Sequence, residues 1–278
     1  LGRLLVALRL SDPLAYTSCT APKIFTPFNI TNIMRKLLFS LSAIAASLFL
    51  APAQAQDSSE GAYDKVSIGL SLNHDAFFGF NPQLNGSIAT SSTSAFTFYG
   101  IQWGAGTAAA WGNWTEFGVG YSFQAGKTIT INPQVGFTMG NLLSSYTTGK
   151  YAIGDGIVPN LTVNHNSSKT EGQLYFGYYG ALRKESPITA NYVHYWFNFG
   201  GKIKPYLSAG AHFENLFRSG GEGQPTSTSQ YYTWVGPYVQ FTKGNAGLRF
   251  SFGGNLAGND AKANFDGDFY KMNLFFNF

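Results

Sequence analysis

The sequence predicts an all-β fold, a single antiparallel up-and-down transmembrane β-barrel of about twelve strands. Three observations point there. Apolar and small polar residues alternate through most of the chain beyond residue 60, the period-two pattern of strands with one apolar face. Charged residues make up only 12% of the sequence, about half the roughly 25% usual for a soluble globular protein, while aromatics reach 17%. The links between alternating segments are short and long in turn, a pattern for which a soluble sandwich has no reason.

The first element is a leader. From Met34, Arg35 and Lys36 form a charged start, Leu37 to Leu50 an apolar run, and Ala53-Gln54-Ala55 a small-residue cleavage site, so residues 34–55 read as a secretory signal peptide. The apolar run is interrupted by Ser40, Ser42 and Ser47 and is short for a spanning helix. Residues 1–33 read as a mis-assigned upstream extension, and residues 56–278 as the barrel domain. Five of the 18 basic residues and one of the 14 acidic ones lie before Ala55, which leaves the expected exported chain neutral. The basic pI of about 9.0 therefore belongs to the leader and gives no ground for nucleic-acid binding. The only cysteine, Cys19, lies in the same segment, so no disulfide is expected in the barrel.

Strand-like segments follow near 65–74, 82–91, 94–104, 114–125, 127–142, 157–167, 169–183, 190–200, 203–217, 230–242, 245–256 and 267–278. The clearest alternators place Val66/Ile68/Leu70/Leu72, Phe117/Val119/Tyr121/Phe123, Ile129/Ile131/Val135/Phe137, Leu174/Phe176/Tyr178, Val193/Tyr195/Phe197/Phe199 and Leu248/Phe250/Phe252 on one face. Gly, Ser, Thr, Asn and Gln sit opposite. Segment 94–104 carries aromatics on both faces. Backbone groups in hydrocarbon must be satisfied internally, which a closed sheet achieves, and a polar inner face suits a hydrated lumen.

Short turns are expected at Ser91 to Ser94, Ala125-Gly126-Lys127, Ser167-Ser168, Gly200-Gly201-Lys202 and Lys243-Gly244-Asn245. Longer links fall at Gly104 to Asn113, Ser144 to Gly156, Lys184 to Thr189, Arg218 to Ser229 and Ala257 to Asp266. Proline removes a ladder hydrogen bond, so Pro133, Pro205 and Pro237 are expected at bulges or near the rim. Trp103, Trp111, Trp114, Tyr192, Tyr231 and Tyr232, near strand ends, are candidates for an interfacial aromatic girdle.

The last segment, Tyr-Lys-Met-Asn-Leu-Phe-Phe-Asn-Phe, puts Tyr270, Met272, Leu274, Phe276 and Phe278 on one face. Together with the signal peptide and the alternating strands, it resembles the terminal strand of Gram-negative outer-membrane β-barrels, and the chain is similar to their small porins and channels of about twelve strands. That resemblance implies outer-membrane localisation, contact with outer-membrane lipids and lipopolysaccharide, and reading of those five residues by the barrel-assembly machinery. Phe77-Phe78-Gly79-Phe80-Asn81-Pro82 and Trp114 to Tyr121 are similar to segments of uncharacterised barrel proteins and imply no function.

Strand parity sends Glu116, Glu171, Tyr175, Tyr179, Arg183, His194, Trp196, Tyr206, His212, Glu214, Trp234, Tyr238, Arg249 and Lys271 into the lumen. Charges of both signs on facing walls set a transverse field that selects solutes, and rings offer stacking faces, so the functional expectation is a passive channel for small polar solutes. The same charges pairing into a network would instead fill a non-conducting, structural or adhesive barrel. A third expectation is a lipid-modifying enzyme, since His165-Asn166-Ser167 has the His and Ser spacing of outer-membrane phospholipases and deacylases; it sits beside a periplasmic-side turn and has no orienting acid in sequence. His194, His212 and Glu214 share no recognised zinc spacing, and no calcium or phosphate motif occurs, so neither metal nor cofactor is expected. Oligomeric state is left open.

Overall fold

The computed structural model describes residues 66–104, 114–224, 228–258 and 267–278; the leader and Trp111 lie outside the described residues. Twelve strands are present: β1 (Val66–Asp75), β2 (Gly79–Ser91), β3 (Ser94–Trp103), β4 (Trp114–Ala125), β5 (Ile129–Gly140), β6 (Ala152–Asn166), β7 (Thr170–Ala181), β8 (Asn191–Lys204), β9 (Leu207–Gly220), β10 (Ser229–Lys243), β11 (Ala246–Asn255) and β12 (Phe269–Asn277). Each pairs antiparallel with its neighbours in sequence, and β1 pairs β12, so the sheet closes on itself and leaves no edge. This is the architecture implied by the resemblance to outer-membrane barrels.

Alternation sets the two faces. Phe117, Val119, Tyr121 and Phe123 of β4, Phe197 and Phe199 of β8, and Leu248, Phe250 and Phe252 of β11 are exposed on the outside. Their inward neighbours include buried Glu116, His194, Asn198 and Ser251. A water-soluble barrel would reverse this arrangement.

One end carries turns of two or three residues and the other the long links, with one exception. The β1–β2 connection, at the long-link end, is the three-residue knuckle Ala76-Phe77-Phe78. Asp75 Oδ1 accepts the amides of Phe77 (2.9 Å) and Phe78 (2.6 Å), and Gly79 takes φ 68°, a left-handed value that favours glycine. Capped in this way, the knuckle folds into the barrel mouth and buries both phenylalanines.

Two expectations about punctuation need correction. Gly200, Gly201 and Lys202 are not a turn: β8 continues to Lys204, and the chain reverses at Pro205 and Tyr206. Pro205 is thus at the rim, but Pro133 and Pro237 lie within strands without bulges. The β4–β5 ladder passes from Gly120↔Gln134 to Phe123↔Ile131, and the β10–β11 ladder from Val235↔Gly254 to Tyr238↔Ser251. Each proline occupies such a gap while keeping register with its other neighbour, Leu161 or Ala211. A missing N–H removes a rung on one side only, so the closed sheet absorbs it locally.

Candidate functional site

Inside the barrel two zones are stacked along the axis. At the long-link end, inward residues form an aromatic plug. Phe78 packs against Trp103 with centroids 4.7 Å apart and against His194 at 5.6 Å; Phe77 packs edge-on against Tyr232 at 5.1 Å. Tyr232 stacks on Trp234 (4.0 Å), which stacks on Phe269 (4.9 Å), and Trp103 stacks on Trp114 (5.6 Å). Leu142, Leu143 and Leu216 complete the layer. A void of only about 10 Å³ remains among these groups, so the layer is a packed core.

Asp155, wholly buried, supports the plug from the loop side. Its carboxylate accepts the amides of Leu142, Leu143 and Ser144 at 2.8–3.1 Å and the Ser144 hydroxyl at 2.5 Å, which fixes the β5–β6 link over the barrel mouth.

Below the plug, toward the short turns, lies a cavity of about 860 Å³ lined largely by Asn, Gln, Ser and Thr. Its wall is cross-linked by amide and hydroxyl bonds, such as Thr97 Oγ1 donating to Asn132 Oδ1 (2.9 Å) and Gln134 Nε2 donating to Thr97 Oγ1 (3.1 Å). Lys202, Lys204, Pro205 and Tyr206 line its mouth, and Asp75, Trp103 and Glu116 its floor. The cavity is therefore a polar cup, closed by the plug and reaching the short-turn rim.

Charged groups in the wall are paired or capped. Glu214 is wholly buried and accepts from Lys271 Nζ (2.6 Å) and Tyr232 OH (2.9 Å), with His194 Nε2 at 2.8 Å and His212 Nε2 at 3.2 Å. Glu171 accepts from Ser208 (2.6 Å), Tyr238 (3.1 Å) and Gln240 (2.9 Å), with Arg249 at 3.7 Å; the Arg249 guanidinium lies 4.9 Å over the Tyr238 ring. Glu116 accepts from Tyr99 OH (2.6 Å) and Trp103 Nε1 (3.0 Å). Tyr99 reaches it by lying across Gly118 and Gly136, where an added Cβ would come within 2.2 Å of the ring or its hydroxyl.

These placements sort the residues that parity sends inward. Glu116, Glu171, Tyr175, Trp196, His212, Arg249 and Lys271 border the cup, and Trp196 is stacked on Tyr175 at 3.9 Å with Lys271 Nζ 5.1 Å from its centroid. Tyr179, His194 and Trp234 point inward but belong to the plug or its underside. Glu214 and Tyr238 point inward and are covered by the groups they bind. Arg183 is a correction: β7 ends at Ala181, parity no longer governs its direction, and its guanidinium bonds Ile153 O and Glu185 in the β7–β8 link. Tyr206 does border the cup, but from the β8–β9 turn at its mouth and not from a strand.

The girdle expectation is also corrected. Trp103, Trp114, Tyr192 and Tyr232 are buried inside the barrel as plug residues, and Tyr231 packs against them. Phe77, Phe78, Tyr99 and Phe269 are site residues that parity did not single out; the signals were a Phe pair between Asp75 and Gly79 and the second aromatic face of segment 94–104.

His165 and Ser167 do not form a charge relay. Both meet Thr170, His165 through Nε2 at 2.8 Å and Ser167 through Oγ at 2.9 Å, and among the described residues neither bonds a carboxylate. His165 stacks on outward Phe199 at 6.0 Å. Among the described residues no group of three or more His, Cys, Asp or Glu is placed to hold a metal ion.

The family of unknown function DUF6733 matches residues 34–278. This chain belongs to that family. No curated protein matches the DUF6733 chain. Solved structures similar to it include the KdgM porin, at 12% identity and a TM-score of 0.43 over 76% of this chain and 99% of that one. The NanC porin has 9% identity and a TM-score of 0.45 over 76% and 98%. OmpT, an outer membrane protein of Vibrio cholerae, has 8% identity and a TM-score of 0.35 over 81% and 100%.

Proposed function

We propose that this DUF6733 chain is an outer-membrane channel for small polar solutes, with the polar cup as the solute path and the aromatic plug as its gate. A polar cavity of about 860 Å³ continuous from the short-turn rim to the plug is the observation that supports this most directly. A barrel filled only for rigidity has no need of such a space, because side chains alone can fill a small lumen. The apolar outer face supports membrane insertion, with outer-membrane lipids and lipopolysaccharide against Phe117, Phe197 and Phe252. By the resemblance read from sequence, the short turns and the cup mouth face the periplasm, and the terminal strand addresses the chain to the assembly machinery.

Passage across the barrel requires the plug to move, and the knuckle Ala76-Phe77-Phe78 is the piece of it that a single turn carries. The reading is tested by planar-bilayer recording and by liposome swelling in small sugars, comparing wild type with Phe77→Ala/Phe78→Ala. Intermittent conductance in wild type and larger, steadier conductance in the variant are expected. A folded variant that passes neither ions nor sugars at any voltage would sink the channel reading and leave the structural barrel.

A further inference from the structure

Three of the cations at the long-link end of the barrel are ion-paired, whereas the lysines at the short-turn end are not. At the long-link end, Lys150 and Arg183 share Glu185, and Lys184 pairs with Glu222. At the short-turn end, four of the five turns bring lysines to the rim: Lys127, Lys169, Lys202, Lys204 and Lys243. Among the described residues none of these five has a carboxylate partner. Two of them, Lys202 and Lys204, line the cup mouth. Lys202 is held there by neutral acceptors, Asn166 Oδ1 at 2.5 Å and Ser167 O at 2.6 Å, so its charge is positioned without being cancelled.

Deeper charges do not offset this bias in the upper cup. Arg249 faces Glu171 and Lys271 faces Glu214, each an opposite pair, and Asp75 and Glu116, capped by neutral donors, lie at the far floor of the cup against the plug. A low-dielectric cylinder concentrates the field of unpaired charges at its opening and raises the local concentration of oppositely charged solutes.

We infer that the mouth half of the cup is an anion-receiving site, and that the solutes it admits are small anions, recognised by the unpaired Lys202 and Lys204 and not by the buried pairs deeper in the wall. This assignment of a substrate class rests on the solute-path reading above, but the site itself does not depend on the plug opening. Its chemistry is that of two ammonium groups with amide and hydroxyl neighbours: charge selection with little shape selection.

The test separates the two claims. Cys19 is the only cysteine and lies upstream of the barrel, so in a Cys19→Ser background Thr162→Cys places one thiol in the cup wall. The probes are two thiol reagents of similar size, anionic methanethiosulfonate-ethylsulfonate and cationic methanethiosulfonate-ethyltrimethylammonium, each rate divided by its rate with free 2-mercaptoethanol. At about 10 mM salt, where the screening length is about 30 Å, the normalised anion rate should exceed the cation rate by roughly sevenfold or more, since a potential of about one kT per unit charge enriches the anion and depletes the cation by about 2.7-fold each. Lys202→Gln/Lys204→Gln should bring the ratio close to one, and Lys202→Arg/Lys204→Arg should restore it. Lys204→Gln alone, whose ammonium holds no turn together, serves if the double variant fails to fold. Equal normalised rates in wild type, or a ratio unchanged by removing the lysines, would overturn the inference. A preserved ratio in a barrel that never conducts would sink the channel reading while leaving the anion site standing.

Discussion

Lys271 Nζ on β12 lies 2.6 Å from Glu214 Oε2 on β9, an ion pair that spans the lumen between strands that are not neighbours in the sheet. It therefore ties one wall to another, and the two histidines and Tyr232 around the same carboxylate join it to the underside of the plug.

Removing one member of this pair should cost more than removing both. Glu214 is wholly buried, whereas the Lys271 side chain keeps 21% of its surface toward the cup, so Glu214→Ala is placed near the low end of the usual range for a broken buried pair, about 3 kcal/mol. Glu214→Gln/Lys271→Met should recover much of that. Urea unfolding in lipid vesicles gives both numbers, and a double variant no more stable than Glu214→Ala would show that the pair is not what Glu214 contributes.

Asp75 should hold the knuckle in its seat from outside the aromatic layer. Asp75→Ala removes two charge-assisted bonds to the knuckle amides, with an expected cost of about 3 kcal/mol. Hydrogen exchange at the Phe77 and Phe78 amides should accelerate by at least about 100-fold, the equivalent of roughly 3 kcal/mol of local opening. Unchanged exchange at these two amides would mean that the plug is seated by its rings alone.

Facing can be tested by arginine placement. Val119→Arg and Phe252→Arg, on the exposed apolar side, should each cost about 2–4 kcal/mol of barrel stability in a bilayer if they lie near its midplane. Thr130→Arg, on the cup wall, should be tolerated to within about 1 kcal/mol. Gly120 is unsuitable as an inward control, since a Cβ there would lie 2.3 Å from Pro133 O. Equal tolerance at Val119 and Thr130 in vesicles would contradict membrane insertion in this register.

Phe278 has two separable roles at the seam. Its amide donates to Ile68 O at 2.7 Å and its carbonyl accepts from Ile68 N at 3.2 Å, so it forms a rung between the ends of β1 and β12. Deletion should remove rung and ring together and deplete heat-modifiable barrel from outer membranes. Phe278→Ala keeps the rung, and a comparable depletion would assign recognition to the ring. Normal levels of inserted protein in both variants would remove the assembly-signal role of this residue.

Much of the barrel is legible in the sequence because alternation is a local property. The outward rows Phe117 to Phe123 and Leu248 to Phe252 need only a two-residue period, and the structure exposes them. Parity fails for Arg183 because it says nothing once a strand has ended. It is also silent on height along the axis: Trp103 and Trp234 look like girdle or lumen residues in one dimension, and only the level at which strands align makes them plug. Gly200 and Gly201 resemble a turn for the same reason. Their place in β8 depends on what lies across the sheet, where a Cβ at Gly200 would lie 2.4 Å from the Tyr238 hydroxyl and 2.5 Å from Ala209 O.

The knuckle that seats the plug belongs to the first hairpin, and the first strand is also the one that the last must find. Asn73 meets Asn273, 200 residues away, at the β1–β12 seam, while Phe77 and Phe78 meet Tyr232 and His194, both more than 100 residues distant. Contacts across such separations form late, since loop closure must precede them. Seam and knuckle thus share one requirement: both need the first hairpin brought against segments more than 100 residues away, so whatever closes the cylinder also brings the aromatic tip to the far wall it packs on.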